Sequence, residues 1–348
     1  MIIITDVFLI LILSIGLGGF VGTPTKESYP YIGFLAFVGF CLFCVLLFVL
    51  IVLIGTGFDW ALVIIGCFSV AGLFRIGLSL RKYSTGLLWA DYCLHPVIIF
   101  PFMLGIVEAI SAPVNFIPWG DDTYSNWLWH AKQIWLANDF WFEEMRTGGR
   151  GYPPGWHFLL AISSSFWGEY SDARTIAIPA VLHIALLGLV FDVILMKWRS
   201  EASTPSYLSA IAALVCILVI LVFEASWKLM PILILSEMPL FYTSIGLFIV
   251  AFLYWHPKAK LTQITLAMAV IVCAHNLIKT QGLALAPVAA SLIFMGVFIN
   301  VSPLRNKFLC GLGSAASALL PLLIVLALWN SLGPHSVKCN GNAASMLT

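Results

Sequence analysis

Apolar residues run along this chain in long unbroken stretches, with neither the period of two of a half-buried strand nor the single stripe of a surface helix. Ten stretches stand out: 4–22, 31–55, 58–79, 95–113, 174–196, 206–226, 238–255, 262–278, 282–300 and 308–331. A helix needs roughly 20 such residues to cross hydrocarbon, so each reads as a transmembrane span. An eleventh stretch, 156–168, is short for a crossing. The pattern predicts an all-α polytopic membrane protein of about ten transmembrane helices.

Composition agrees and narrows the class. The 348 residues are 61% apolar and only 9% charged. A soluble domain carries about 25% charged residues, so a soluble globular enzyme, a secreted disulfide scaffold and a disordered chain are excluded. With 17 Lys+Arg against 16 Asp+Glu there is no basic excess to draw nucleic acid. Seven of the eight cysteines lie in or beside apolar runs, where Cys acts as a small hydrophobe. Cys41-Leu-Phe-Cys44 matches C-x-x-C but falls inside a span, which points to packing rather than redox or metal duty. The first six residues lack the basic region of a signal peptide, so 4–22 is expected to be a retained span.

Orientation follows from basic residues, which stay with the cytoplasmic loops. Arg75/Arg81/Lys82, Lys197/Arg199, Lys258/Lys260 and Arg305/Lys307 share one side only if 156–168 does not cross. That stretch is therefore expected to lie at the outer interface. The segment 114–173 then faces the exterior. It holds seven acids (Asp121, Asp122, Asp139, Glu143, Glu144, Glu169, Asp172), three basic residues and seven tryptophans. Tryptophan favours the headgroup level, so short helices along the membrane surface are expected there. A long acidic loop in an otherwise terse chain is the expected seat of function.

Three groups fall on that outer side. Asp121-Asp122 opens a predicted helix, Thr123–Asn138, where one Asp can cap the helix while the other faces a substrate as a base or a cation ligand. Glu237, in Ser236-Glu-Met-Pro-Leu240, starts the span 238–255, where it either snorkels to the interface or faces a ligand. Lys279 ends the span 262–278 and is followed by Thr280-Gln281-Gly282; it is an interfacial anchor or a partner for a lipid phosphate. Acids for an acceptor hydroxyl and a cation for a phosphate suit transfer from a lipid-phosphate donor. Gly151-Tyr-Pro-Pro-Gly155 forms a rigid turn. The polar residues Glu108, His183, Asp192, Glu224 and His275 within the spans are expected to bond between helices or meet the interface or, alternatively, to form a proton path. The Asn300-Val-Ser302 acceptor sequence falls on the inner side and is discounted.

Trp119-Gly-Asp-Asp-Thr-Tyr-Ser-Asn-Trp-Leu-Trp-His-Ala-Lys132, with Tyr152-Pro-Pro-Gly155, resembles the first external loop of GT-C fold glycosyltransferases, the group related to protein O-mannosyltransferases and lipid A aminoarabinose transferases. Asp122 and Ala131-Lys132 fit the family spacing. Ser236–Leu240 resembles the family's second acidic motif, and Leu277-Ile-Lys-Thr-Gln-Gly282 its later Lys-x-x-Gly element. The resemblance covers about residues 95–331. It implies a seven-span catalytic module over 93–332 with external loop 114–173, preceded by a three-span addition over 1–92. Gln281 departs from the Glu common in relatives. The polar tail 333–348 reads either as the end of a compact member or as the start of a further external segment of a longer chain, and it favours the second.

What the resemblance implies is an inverting transfer of a sugar from a polyprenyl-phosphate-linked donor to an acceptor hydroxyl at the outer face, in glycan biosynthesis of a cell envelope. The acceptor is a lipid, glycan or protein. Asp122 is the expected base, with Asp121 and Glu237 beside it. Lys279, Arg150, Arg146 and Arg174 are expected at the donor phosphate. Tyr124, Trp127, Lys132, Tyr152, His157 and Gln281 are expected along the substrate groove. A divalent cation, Mg or Mn, held by Asp122 and Glu237 stays open. The implied location is a bacterial inner membrane, with the site facing the periplasm. Two alternatives stand beside this: a transporter or lipid flippase using the intramembrane acids and histidines, and a non-catalytic assembly subunit of the same fold.

Overall fold

A computed structural model describes residues 2–22, 32–83, 93–110, 127–139, 153–201, 206–226, 237–255, 260–301 and 304–332. These are helical, with no strand among them. In chain order they form α1 (Ile2–Val21), α2 (Ile32–Phe48, continued by a π turn Val49–Leu53), α3 (Phe58–Tyr83), α4 (Pro96–Ile110), α5 (Trp129–Ala137), α6 (Gly155–Ser165), α7 (Ala177–Glu201, led in by a 3₁₀ turn Asp172–Ile176), α8 (Ser206–Ser226), α9 (Glu237–Phe252), α10 (Leu261–Ile278), α11 (Leu285–Asn300) and α12 (Leu304–Leu332). Seven are long and apolar enough to cross a membrane: α1, α2, α3, the 172–197 stretch with α7, α10, α11 and α12. Three shorter apolar helices, α4, α8 and α9, occupy the remaining positions where the apolar runs predicted spans.

Packing follows burial rather than chain order. α2 is buried on almost every face, against α1, α7, α10 and α6. α2, from the 1–92 part of the chain, thus packs against helices of the 93–332 part. α3, α11 and α12 keep most of their apolar side chains open, as helices facing lipid do.

Helices gain little from apolar contact alone in lipid, so small residues and polar bonds set which helix meets which. The backbone of α2 at Gly39 lies directly on the Ser14 carbonyl of α1. At the opposite face of α2, Asp192 of α7 is buried yet fully engaged. Its Oδ2 accepts the Phe34 N–H at 2.8 Å, in the first turn of α2. Its Oδ1 lies 3.1 Å from His95 Nε2. Because Val97 N–H donates to His95 Nδ1 at 3.2 Å, the imidazole proton sits on Nε2 and is given to the carboxylate. One carboxylate thus caps α2 from another helix and ties in the start of α4.

The contacts define two ends of the bundle. At one end lie Phe34, His95, Asp192, and Asn300, whose side-chain amide donates to the Tyr254 carbonyl at 2.7 Å. The chain direction puts Arg81, Lys197, Lys260 and Lys307 at that end as well. At the other end lie Asp6, Asp59, Asn138, Trp167, Glu237 and Lys279, joined by the contacts described below. The first end is predominantly basic and the second predominantly acidic, as the short-loop charges predicted.

Candidate functional site

At the acidic end, α10 stops at Ile278 because the backbone of Lys279 turns extended, with φ −158° and ψ 139°. The next residues wind into a 3₁₀ turn, Thr280–Ala284, closed by Gly282 N–H to the Lys279 carbonyl at 2.9 Å. A side chain at Gly282 would meet the His275 ring at 2.6 Å and the His275 carbonyl at 2.8 Å, so the turn closes only on glycine. This return aims Lys279 at α9. Its ammonium donates to Glu237 Oε1 at 2.5 Å. The pair is lopsided: Lys279 is 8% exposed, while the Glu237 side chain is 62% exposed. Glu237 opens α9, where the helix dipole favours an anion. One turn deeper, His275 Nδ1 and Thr243 Oγ1 meet at 2.7 Å, and Thr243 also bonds the Pro239 carbonyl. Two polar links therefore clamp α9 to α10 beneath one semi-buried cation.

The segment expected to lie on the membrane surface packs into this end. α6 is buried along its whole length, between α5 on one side and α2, α10 and α7 on the others. The helix expected at the outer interface thus packs inside the acidic end of the bundle. The cause is local: a side chain at Gly155 would lie 2.7 Å from the Leu277 carbonyl and 2.8 Å from Cys44 Sγ, so a glycine lets the α6 start seat against the end of α10. The Pro-Pro-Gly turn thus brings the long segment to within two residues of Lys279 along α10.

Trp127, in the π turn that leads into α5, and His130 of α5 lie over α6. Trp127 stacks on His157 with ring centroids 4.8 Å apart, and His130 meets the same ring edge-on at 5.1 Å. His157 is 2% exposed, and neither ring nitrogen has a hydrogen-bond partner among the described residues. Burial, and then His130, hold its protonation well below the usual histidine range. Lys132 is exposed and sits over the Tyr170 ring at 5.8 Å. The Tyr170 hydroxyl donates to the Leu128 carbonyl at 2.9 Å, and burial followed by Asp172 pushes its pKa up. Asn138, at φ 51°, ends α5 and accepts from the Phe58 and Asp59 N–H groups, capping α3.

Arg174 stands apart from Lys279 and Glu237. Its guanidinium lies over Trp167 at 5.0 Å, and its Nη1 is buried without a hydrogen-bond partner. Trp167 Nε1 in turn donates to Asp6 of α1 at 2.6 Å. Asp121, Asp122, Tyr124, Arg146, Arg150 and Tyr152 lie outside the described residues, and of Gln281 the backbone alone is described. Glu237 is engaged by Lys279, and among the described residues no three His, Cys, Asp or Glu side chains gather as metal ligands. The described residues therefore do not form a cation cage.

The structure thus joins Glu237 to Lys279 and Trp127 to His157, and places both pairs at one end. Two links had no signal in the pattern of residues: Thr243 with His275, and Asp6 with Trp167. His95 fell at the start of the predicted span 95–113 with no role assigned, and the helix there begins at Pro96. Of the possible proton-path residues, Asp192 is engaged as a cap and His183 stacks on Tyr242 at 5.1 Å; the side chains of Glu108 and Glu224 lie outside the described residues. Comparison with family models, with curated proteins and with solved structures gives no match.

Proposed function

We propose that the chain is a ten-span glycosyltransferase of the GT-C type that uses a polyprenyl-phosphate-linked sugar at the outer face of the membrane. The acidic end is that outer face, because the basic end takes the cytoplasmic side. The observation that carries the proposal is Lys279: a cation almost withdrawn from solvent, presented by an extended break after α10, paired with an acid whose other side is wet. A lone ammonium at this depth is costly, and a lipid phosphate arriving from the bilayer can take the place of Glu237 as its counter-ion.

In this scheme Asp122 removes the proton of the acceptor hydroxyl. The freed oxygen attacks the anomeric carbon from the face opposite the phosphate, with inversion. The bond from that carbon to the phosphate oxygen breaks, and the lipid phosphate leaves with the electron pair. Lys279 offsets the charge that grows on the leaving oxygen. Glu237 holds Lys279 until the donor arrives and then, released to water, helps orient the acceptor. The seating of Gly155 against Leu277 supports a groove shared by the long segment and Lys279.

The test is transfer to endogenous acceptors in membranes supplied with radiolabelled polyprenyl-phosphate sugars. Asp122→Asn abolishes transfer while the protein stays folded and membrane-inserted, and Lys279→Ala lowers it by at least about a hundredfold, the loss typical of removing one charge-stabilising donor. Transfer that survives both substitutions sinks the proposal.

A further inference from the structure

His157, expected along the substrate groove, is given no step in the transfer described above, yet among the described residues of the long segment it is a fully buried polar group. The imidazole is 2% exposed and both nitrogens are without hydrogen-bond partners among the described residues. A buried polar atom without a partner costs stability, so a chain carrying two on one ring is expected to gain something else from them. Trp127 covers one ring face at 4.8 Å, nearly parallel at 24°, and this leaves no room for a ligand between the rings. His130 abuts the ring at 85°. These neighbours fix the plane in which the nitrogens point.

The chemistry of the ring defines what it can bind. A neutral imidazole has one N–H and one lone pair. A phosphate or carboxylate uses the first alone, and an ammonium the second alone. A hydroxyl uses either, and two neighbouring hydroxyls use both. The place is also defined. His157 is the third residue of α6, whose first residue seats against Leu277, two positions before Lys279. Side chains in a first helical turn lean back towards the helix start, which is the Lys279 side.

Resting on the glycosyl-transfer reading, we infer that His157 is a sugar-recognition residue: its two ring nitrogens hydrogen-bond hydroxyls of the donor sugar while Lys279 holds the phosphate. α5 encloses the ring, so the sugar reaches it as α5 shifts on α6. Two bonds of α5 would yield or adapt in that shift, Tyr170 to the Leu128 carbonyl and the Asn138 cap on α3.

His157→Phe keeps the ring and removes both nitrogens. The test uses the full chain in nanodiscs and two readouts, thermal midpoint and binding of polyprenyl phosphate beside its mannosyl, glucosyl and arabinosyl esters. The wild type binds at least one ester about tenfold more tightly than the bare lipid phosphate, a margin set by one or two hydrogen bonds. In His157→Phe that preference falls to near unity, bare lipid phosphate binds as before, and the midpoint rises by a few degrees because two orphaned atoms are gone. A preference that survives the substitution overturns the inference. So does a wild type with no preference among the three esters, or a midpoint that falls, since the nitrogens are then satisfied inside the fold. Failure of the glycosyl-transfer reading looks different: bare polyprenyl phosphate does not bind the wild type, or binds Lys279→Ala equally well.

Discussion

Replacing Asp192 by alanine removes the acceptor that two buried donors share, the Phe34 N–H at 2.8 Å and His95 Nε2 at 3.1 Å. Each orphaned donor costs about 1–3 kcal/mol. In a bilayer the unfolded reference finds partial replacements, which moves the sum to the lower part of that range, about 2–4 kcal/mol. At roughly 1–2 °C per kcal/mol for a chain of this length, the unfolding midpoint falls by roughly 3–6 °C. Asp192→Asn retains one acceptor and falls about half as far. The 13 tryptophans make intrinsic fluorescence in detergent a direct assay. His95→Phe supplies the control: its loss and that of Asp192→Ala are not additive, because both break the same bond. An Asp192→Ala protein with an unchanged midpoint but no function would refute the capping role and place the acid in a proton path.

Further outcomes follow from the same contacts. His157 stays neutral in the fold, whereas an unfolded histidine takes a proton below about pH 6.5. The contribution of His157 to stability is therefore constant above that pH and falls as the pH drops below it, and His157→Phe removes that part of the acid sensitivity in a midpoint-versus-pH series. Gly39→Ala drives a methyl group into the Ser14 carbonyl of α1 and costs about 1–3 kcal/mol, whereas Gly66→Ala meets nothing within 4 Å on α3 and is neutral or stabilising by up to about 1 kcal/mol. A similar loss at both glycines would contradict the close approach of α1 and α2.

The helices were legible because twenty apolar residues in a row have few other uses: described helices fall on all ten runs, and seven of them are long and apolar enough to cross a membrane. The predicted helix 123–138 contains α5, whose described helical turns begin only at Trp127. The burial of α6 on all sides was not legible. Its apolar composition suits a membrane surface and a protein interior equally, and the difference rests on one close approach at Gly155. The polar links were hidden for a similar reason. Asp192 and His95 are 97 residues apart, and Trp167 and Asp6 are 161 apart, so no local pattern joins them. Glu237 and Lys279 were singled out because charge beside an apolar run is costly; that cost is met by their contact with each other.

The most direct test of the central claim is the lipid that the protein keeps. Gentle extraction from the native membrane, followed by native mass spectrometry, compares the wild type with Lys279→Ala. The account predicts a retained polyprenyl phosphate or its glycosylated form in the wild type, with occupancy sharply reduced in the variant, and the mass of the ester then names the sugar. Bulk phospholipid alone in both samples, with both proteins folded, would contradict it.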